Sequence, residues 1–425
     1  MWKYFLTVLC VLCVLRVQSQ TPIVSKDTVA VQQDSLKKRD LLRQLGNGFF
    51  PTKYFDIDLR YLIKYNQYEG FRTGFGGATN DGFSEKYRVR SYVAYGFRDN
   101  RFKYGVGGSV RLTSNGQTWL NVNYTDDLQE TGSSKFLTDK RFFSFFEPRL
   151  LNIDLFYKFI KQSVSIEHAL TPKILSELQF AVSNINPTYN YQYLDGGKTY
   201  SEFNLSTAIV SFQYNPFSEY KLVKNRLRET TVGFPKFSLQ FTQAISGVFK
   251  SELNFSKIDF RTLYEIKHQP ESFTRFVLTA GYANGNAPLS HLYHAYPNNI
   301  NKETILQRFS VAGIDSFETM FFNEFFSDRF TTVQFRHYFK PFQIASRFKP
   351  QLVLISRFAI GNMNNIDKHQ GITFGTLNKG YTESGFEINK LLFGFGLSGT
   401  YRYGGYHLPE FEDNIAVKFT FNVTL

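Results

Sequence analysis

From Tyr54 onward, apolar and polar residues alternate with a period of two. Phe55, Ile57, Leu59, Tyr61 and Ile63 interleave with Asp56, Asp58, Arg60 and Lys64. Tyr87, Val89, Val93, Tyr95 and Phe97 then alternate with Arg88, Arg90, Tyr92, Ala94 and Gly96. Asp99-Asn100 supplies a tight turn, after which Phe102, Tyr104, Val106, Val110 and Leu112 alternate with Lys103, Gly105, Gly107, Ser109 and Arg111. Successive strand residues point to opposite faces, so each segment has one aromatic, apolar face and one charged or small face. The pattern returns at 257–266, 333–340 and 395–403. It ends on Val417, Phe419, Phe421, Val423 and Leu425 against Lys418, Thr420, Asn422 and Thr424. Segments of about 10–13 residues match a tilted crossing of a bilayer. Roughly sixteen are expected, and an even number returns both ends to one side of the membrane. The expected fold class is therefore all-β: a transmembrane antiparallel β-barrel of about 16 strands.

The N-terminal stretch follows a different pattern. Lys3 precedes an uncharged run from Tyr4 to Leu15, followed by Arg16 and Val17-Gln18-Ser19. A positive start, a short apolar centre and a small residue before the cut describe a secretory signal peptide over residues 1–19. The apolar run is about a dozen residues, whereas a spanning helix needs roughly 20. Asp34 to Leu45 reads as a short amphipathic helix with Leu36, Leu41, Leu42 and Leu45 on one face and Gly46 as its stop. Residues 20–50 thus form a short periplasmic segment with one helix, and 51–425 the barrel. The two cysteines, Cys10 and Cys13, both lie in the signal. After cleavage no disulfide or cysteine metal site remains.

Composition sharpens this picture. Of 425 residues, 42% are hydrophobic but 18% are aromatic, with 47 Phe and 26 Tyr. A lipid-facing half, a polar half and aromatic girdles at both interfaces account for that balance. A net charge of +13 would fit nucleic acid in a soluble protein. In a secreted barrel it points instead to a basic lumen or to anionic lipid head groups, so no nucleic-acid partner is expected.

The chemistry-bearing residues form no enzyme motif. No strained Gly-x-Ser-x-Gly turn or phosphate-binding glycine loop is present, so neither catalysis nor a cofactor is expected. His291 and His294 have a helical metal-ligand spacing but no nearby carboxylate in sequence, so no metal site is assigned. Two segments carry both signs of charge. One is 66–81, read as joining the first two strands, with Glu69 and Arg72. The other is 309–330, with Glu318, Glu324, Asp328 and Arg329. Charges at membrane depth are costly unless paired or wet. Either these residues hold an inward-folded loop through Arg–carboxylate pairs, or they lie on solvated external loops. The terminal strand Val417, Phe419, Phe421, Val423 and Leu425 is of the kind that outer-membrane assembly machinery recognises.

YNQYEGFRTGFGG and YVAYGFRDNRFKYGVGG, with FETMFFNEFFSDRF, KGYTESGFEINKLL and the final YRYGGY…DNIAVKF, resemble the barrel of an uncharacterised outer-membrane family. Its longer members often begin with a carboxypeptidase-regulatory-like domain. That family is in turn similar to the BamA/TamA surface-antigen barrels, which have sixteen strands and an inward loop with an Arg-Gly motif. The resemblance implies a role in inserting or exporting envelope proteins, with Glu69, Arg72, Glu318, Asp328 and Arg329 as candidate inward charges. At the matching loop this chain has Phe317-Glu318-Thr319-Met320 and no Arg-Gly pair. The alternatives are a passive or anion-selective pore and a structural subunit of an envelope complex. The expected location is the outer membrane. The expected partners are its lipids, including lipopolysaccharide, the barrel-assembly machinery during biogenesis, and other envelope proteins.

Overall fold

The alternating segments fold into a meander. Gly70–Thr79, Tyr87–Gly96, Arg101–Arg111, Thr118–Glu130, Phe156–Thr171, Ile174–Pro187, Phe203–Tyr214 and Lys236–Ala244 each pair antiparallel with the next. Phe255–Gln269, Ser272–Gly285, Arg329–Tyr338, Gln351–Asn362, Tyr381–Leu392, Phe395–Gly404 and Ile415–Phe421 continue the series. All belong to one 19-stranded sheet. This computed structural model describes residues 48–113, 117–137, 148–151, 153–223, 226–300, 310–345, 348–392 and 394–421. The signal peptide, the helix over Asp34–Leu45, and Val423 and Leu425 lie outside the described residues.

The sheet is inside-out relative to a water-soluble protein. On the last strand Phe419 is 42% exposed and its neighbour Lys418 is 0% exposed on its side chain. Val417 and Phe421 are exposed with Phe419, as are Phe71, Val93, Val164, Ile258 and Phe358 on other strands. Arg72, Lys103, Asp259, Arg336, Arg357, Glu383 and Arg402 are buried on the inner face. A continuous exposed apolar wall around a polar interior is stable only where hydrocarbon replaces water outside.

Two expectations change. The alternation over residues 54–64 is not one strand. Phe55–Asp58 and Ile63–Asn66 pair with opposite ends of Gly70–Thr79, and a 3-10 turn over Leu59–Tyr61 separates them. The Asp58 carboxylate accepts the Arg60 N–H at 3.0 Å and the Arg60 Nε–H at 2.8 Å, an N-cap that competes with strand continuation. Residues 66–81 are also not a long joining loop. Only 67–69 turn, Gly70 adopts φ +67°, and the glycine-rich stretch is itself a strand. At Gly77 a Cβ would lie 2.3 Å from the Asp56 carbonyl oxygen and 2.5 Å from the Phe55 ring, so the wall closes there only without a side chain.

Connections at the end where the first strand begins are mostly short, such as 171–174 and 269–272. The opposite end carries 131–155, 188–202, 286–328 and 363–380. Aromatic and aliphatic residues from these long connections, among them Tyr191, Tyr193, Leu289, Leu292 and Phe326, pack into an apolar cluster with Phe203 and Phe255 of the wall.

Candidate functional site

The described parts of the longest connection, 286–300 and 310–328, pack against the sheet. A 3-10 turn over Leu289–His291 leads into Tyr293, which bridges to Ser327. Pro297–Asn299 then pairs in parallel with Phe317–Phe321. The segment lies against inward charges of the last four strands, and those charges hold it at three points.

The first point is Glu318. Its carboxylate pairs with Lys418 Nζ at 3.0 Å and accepts from Asn298 Nδ2 at 2.8 Å, Ser316 Oγ at 2.7 Å and the Gly313 N–H at 3.0 Å. Lys418 also donates to the Asn298 carbonyl. Burial alone would raise the Glu318 pKa. Lys418 and Arg357 outweigh it, together with the Ser316 hydroxyl, and hold Glu318 below the usual carboxylate range. The second point is Glu383. It takes Arg357 Nη1 at 2.6 Å and accepts the backbone N–H groups of Glu318 and Thr319 at 2.9 and 3.0 Å. The third is Arg402, which grips Glu324 through two N–H groups at 2.6 and 3.1 Å. Nearby, Arg336 pairs with Glu387 and donates to the Ile314 carbonyl, and Gln334 donates to the Asp315 carbonyl at 2.7 Å.

The remaining candidates sit elsewhere. Glu69 pairs with Lys103 at 2.7 Å, and Arg72 reaches Asp127 through two bonds at 2.6 and 2.9 Å, in a cluster on the first strands. Tyr92 donates to the same Asp127 at 2.6 Å. Arg329 begins the strand Arg329–Tyr338 and faces outward, and Asp328 immediately precedes it. Their carboxylate and guanidinium meet at 3.2 Å and engage Asn364. His294 pairs with Glu130 at 2.6 Å, whereas His291 Nδ1 meets Ser290 Oγ, so the two histidines have different partners. Lys418 and Arg402 are legible in the sequence only as the polar side of wall strands, and Arg357 and Glu383 carry no role there. Their signal was available: charges of both signs recur on the inward face of consecutive strands near the C-terminus.

The network lies beside the edge of the last strand, and both edges of the sheet are covered. The edge of the last strand is taken by Ser310–Val311, which pairs in parallel with Lys418 and Phe419, and the Ala312 N–H donates to the Phe419 carbonyl at 2.7 Å. The edge of the first strand is taken by Phe49–Phe50, opposite Asp58 and Ile57. Among the described residues, Ile415–Phe421 has no pairing with the first strand. Instead Pro148–Leu151 lies between, touching both Ile63–Asn66 and Ser310–Val311, and Gln67 Nε2 donates to the Leu151 carbonyl at 2.6 Å.

The fold is that of outer-membrane β-barrels. It is similar to BamA from Haemophilus ducreyi lacking POTRA domains 1-3, with a TM-score of 0.53 and 11% identity over 94% of this chain and 79% of that one. CdiB from Acinetobacter baumannii matches with a TM-score of 0.45 and 11% identity over 86% and 59%. The siderophore receptor PirA from Pseudomonas aeruginosa matches at 0.34 and 11% over 83% and 64%. No curated protein matches the chain. Residues 50–341 match the model described as "Family of unknown function (DUF5686) C-terminal domain", and the chain belongs to that family.

Proposed function

We propose that the protein is an outer-membrane barrel of sixteen wall strands that works at the seam between its first and last strands, assisting the insertion or export of other envelope proteins. Sixteen wall strands among the described residues, with Phe55–Asp58 and Ile63–Asn66 counted as one interrupted strand, support this number. A cleaved signal peptide would take it through the inner membrane. Its partners would be outer-membrane lipids, including lipopolysaccharide, the barrel-assembly machinery during biogenesis, and client envelope proteins. No catalytic step or cofactor enters this reading.

The observation that carries it is the seam. Two edges that would close the barrel by pairing with each other are each covered, among the described residues, by a short piece of the same chain. A strand edge offers unpaired N–H and C=O groups to any added strand. A short cover can be displaced at smaller cost than a full ladder. A pore is less well supported, because 310–328 occupies the polar interior through buried contacts.

The test is a reversible lock. Val311 and Phe419 are paired Cα partners. A Val311→Cys/Phe419→Cys variant, oxidised, fixes the cover to the last strand. Loss of folded client barrels in the outer membrane, restored by reductant, is expected if the seam must open. Equal client levels in both redox states would sink the reading.

A further inference from the structure

The outer surface is not uniformly filled. Across four adjacent strands, paired residues form two transverse rows on the outward face. The upper row is Ile258, Tyr282, Arg329 and Asn362; the lower is Phe260, Ala280, Thr331 and Ile360. Their sequence neighbours Asp259, Gly281, Phe330 and Gly361 are buried on the inner face. In the lower row, two small side chains stand between Phe260 and Ile360. The result is a groove of about 610 Å³ whose walls are apolar and whose upper end carries Arg329, Asn362 and Asn378.

The polarity of this groove is that of one amphiphile. Its charged end is the end that bears the long connections, which face outward in barrels of this type. Arg329 is 39% exposed on its side chain. Two hydrogen bonds hold it, one to Asp328 and one to Asn364, out of five available N–H donors. Asp328 is itself drawn toward the Asn364 N–H at 2.7 Å. A guanidinium with free donors at the rim of a hydrocarbon-facing groove matches a phosphate head group above an acyl chain.

We propose that this groove is a binding site for one phosphorylated outer-leaflet lipid. Arg329 would hold the phosphate, and the dip over Ala280 and Thr331 would seat an acyl chain. The inference rests on the barrel reading above, since it places these residues against lipid.

The test uses the full-length protein, delipidated in detergent and titrated with lipid A, phosphatidylglycerol or dephosphorylated lipid A, with retention read by native mass spectrometry. Wild type should retain one of the phosphorylated lipids at least about five-fold more than the dephosphorylated one, the size of one charge-assisted contact. Arg329→Gln should abolish that preference, and Ala280→Phe should lower retention of all three. Heat-modifiable migration checks that both variants are folded. Preference for lipid A or for phosphatidylglycerol identifies the source, and either supports the site. Equal retention of all three lipids by wild type, or unchanged retention in both variants, overturns it. Wild type that enters liposomes but shows no preference overturns the groove alone. Wild type that fails to enter liposomes overturns the barrel reading as well.

Discussion

Lys418 is where a wall strand and the folded-in segment meet, and its surroundings set the consequence of losing it. Its side chain and that of Glu318 are 0% and 1% exposed. Removing one partner of such a pair leaves a buried charge uncompensated, at a cost of about 3–5 kcal/mol. Lys418→Met should therefore lower the urea midpoint of the refolded barrel markedly. Adding Glu318→Gln should recover part of the loss, because the two changes act on one contact. A double variant as unstable as the sum of the singles would show that the pair is not coupled. The same contact has a pH signature. Glu318 titrates at 4.5 when unperturbed and lower when folded. Its contribution is complete above 4.5 and is lost as pH falls through the lower folded value. Protease access to 310–321 should rise in that acidic range and should do so less steeply in Glu318→Gln.

At the scale of elements, the long connections are joined by a relay through Tyr191. The Leu289 N–H donates to the Tyr191 hydroxyl oxygen at 3.0 Å, and the same hydroxyl meets His369 Nδ1 at 2.7 Å. A neutral imidazole carrying its proton on Nε2 accepts the Tyr191 proton at Nδ1. Burial, followed by the Lys368 ammonium, pushes His369 down to about 4 from 6.5. For a base with a depressed value, the stability is present above 6.5 and is lost as pH falls toward about 4. The loss is on the order of 3 kcal/mol. Hydrogen exchange in 188–202 and 286–292 should accelerate across that window in wild type, and should stay flat in His369→Gln. Identical profiles would remove His369 from the relay. None of this was legible in the sequence, because Tyr191, Leu289 and His369 come together only when three connections pack. The wall strands were legible, since alternation such as Phe419 against Lys418 is written residue by residue and fixed by the inside-out solvent. The break at Leu59–Tyr61 was hidden because the alternation continues through it in sequence. Only the local bonds of Asp58 to Arg60 end the strand.

For the whole molecule, the question is what a +13 chain does with its inward charge. Glu318 and Glu324 were recognisable as charges that needed partners, but their partners were not, because Lys418 and Arg402 lie about eighty to a hundred residues away, on strands that reach them only in the assembled wall. In that wall Arg357 is matched by Glu383 and Arg336 by Glu387. Among the described residues, the ion pairs of Lys418 and Arg402 are with carboxylates of the folded-in segment, Glu318 and Glu324. The segment therefore does two things at once: it fills the interior and neutralises two wall cations. Wild type in a planar bilayer should conduct weakly and irregularly. Glu318→Gln/Glu324→Gln should release the segment and leave Lys418 and Arg402 uncompensated along the lumen, raising conductance and giving it anion preference. A large, steady, anion-preferring current already in wild type would mean the interior is open despite the network, and would favour the pore. Weak conductance in both proteins, with the segment shown by proteolysis to be free in the variant, would mean that other connections also close the lumen. The cap around Tyr191 and Leu289 would then be the next part to remove.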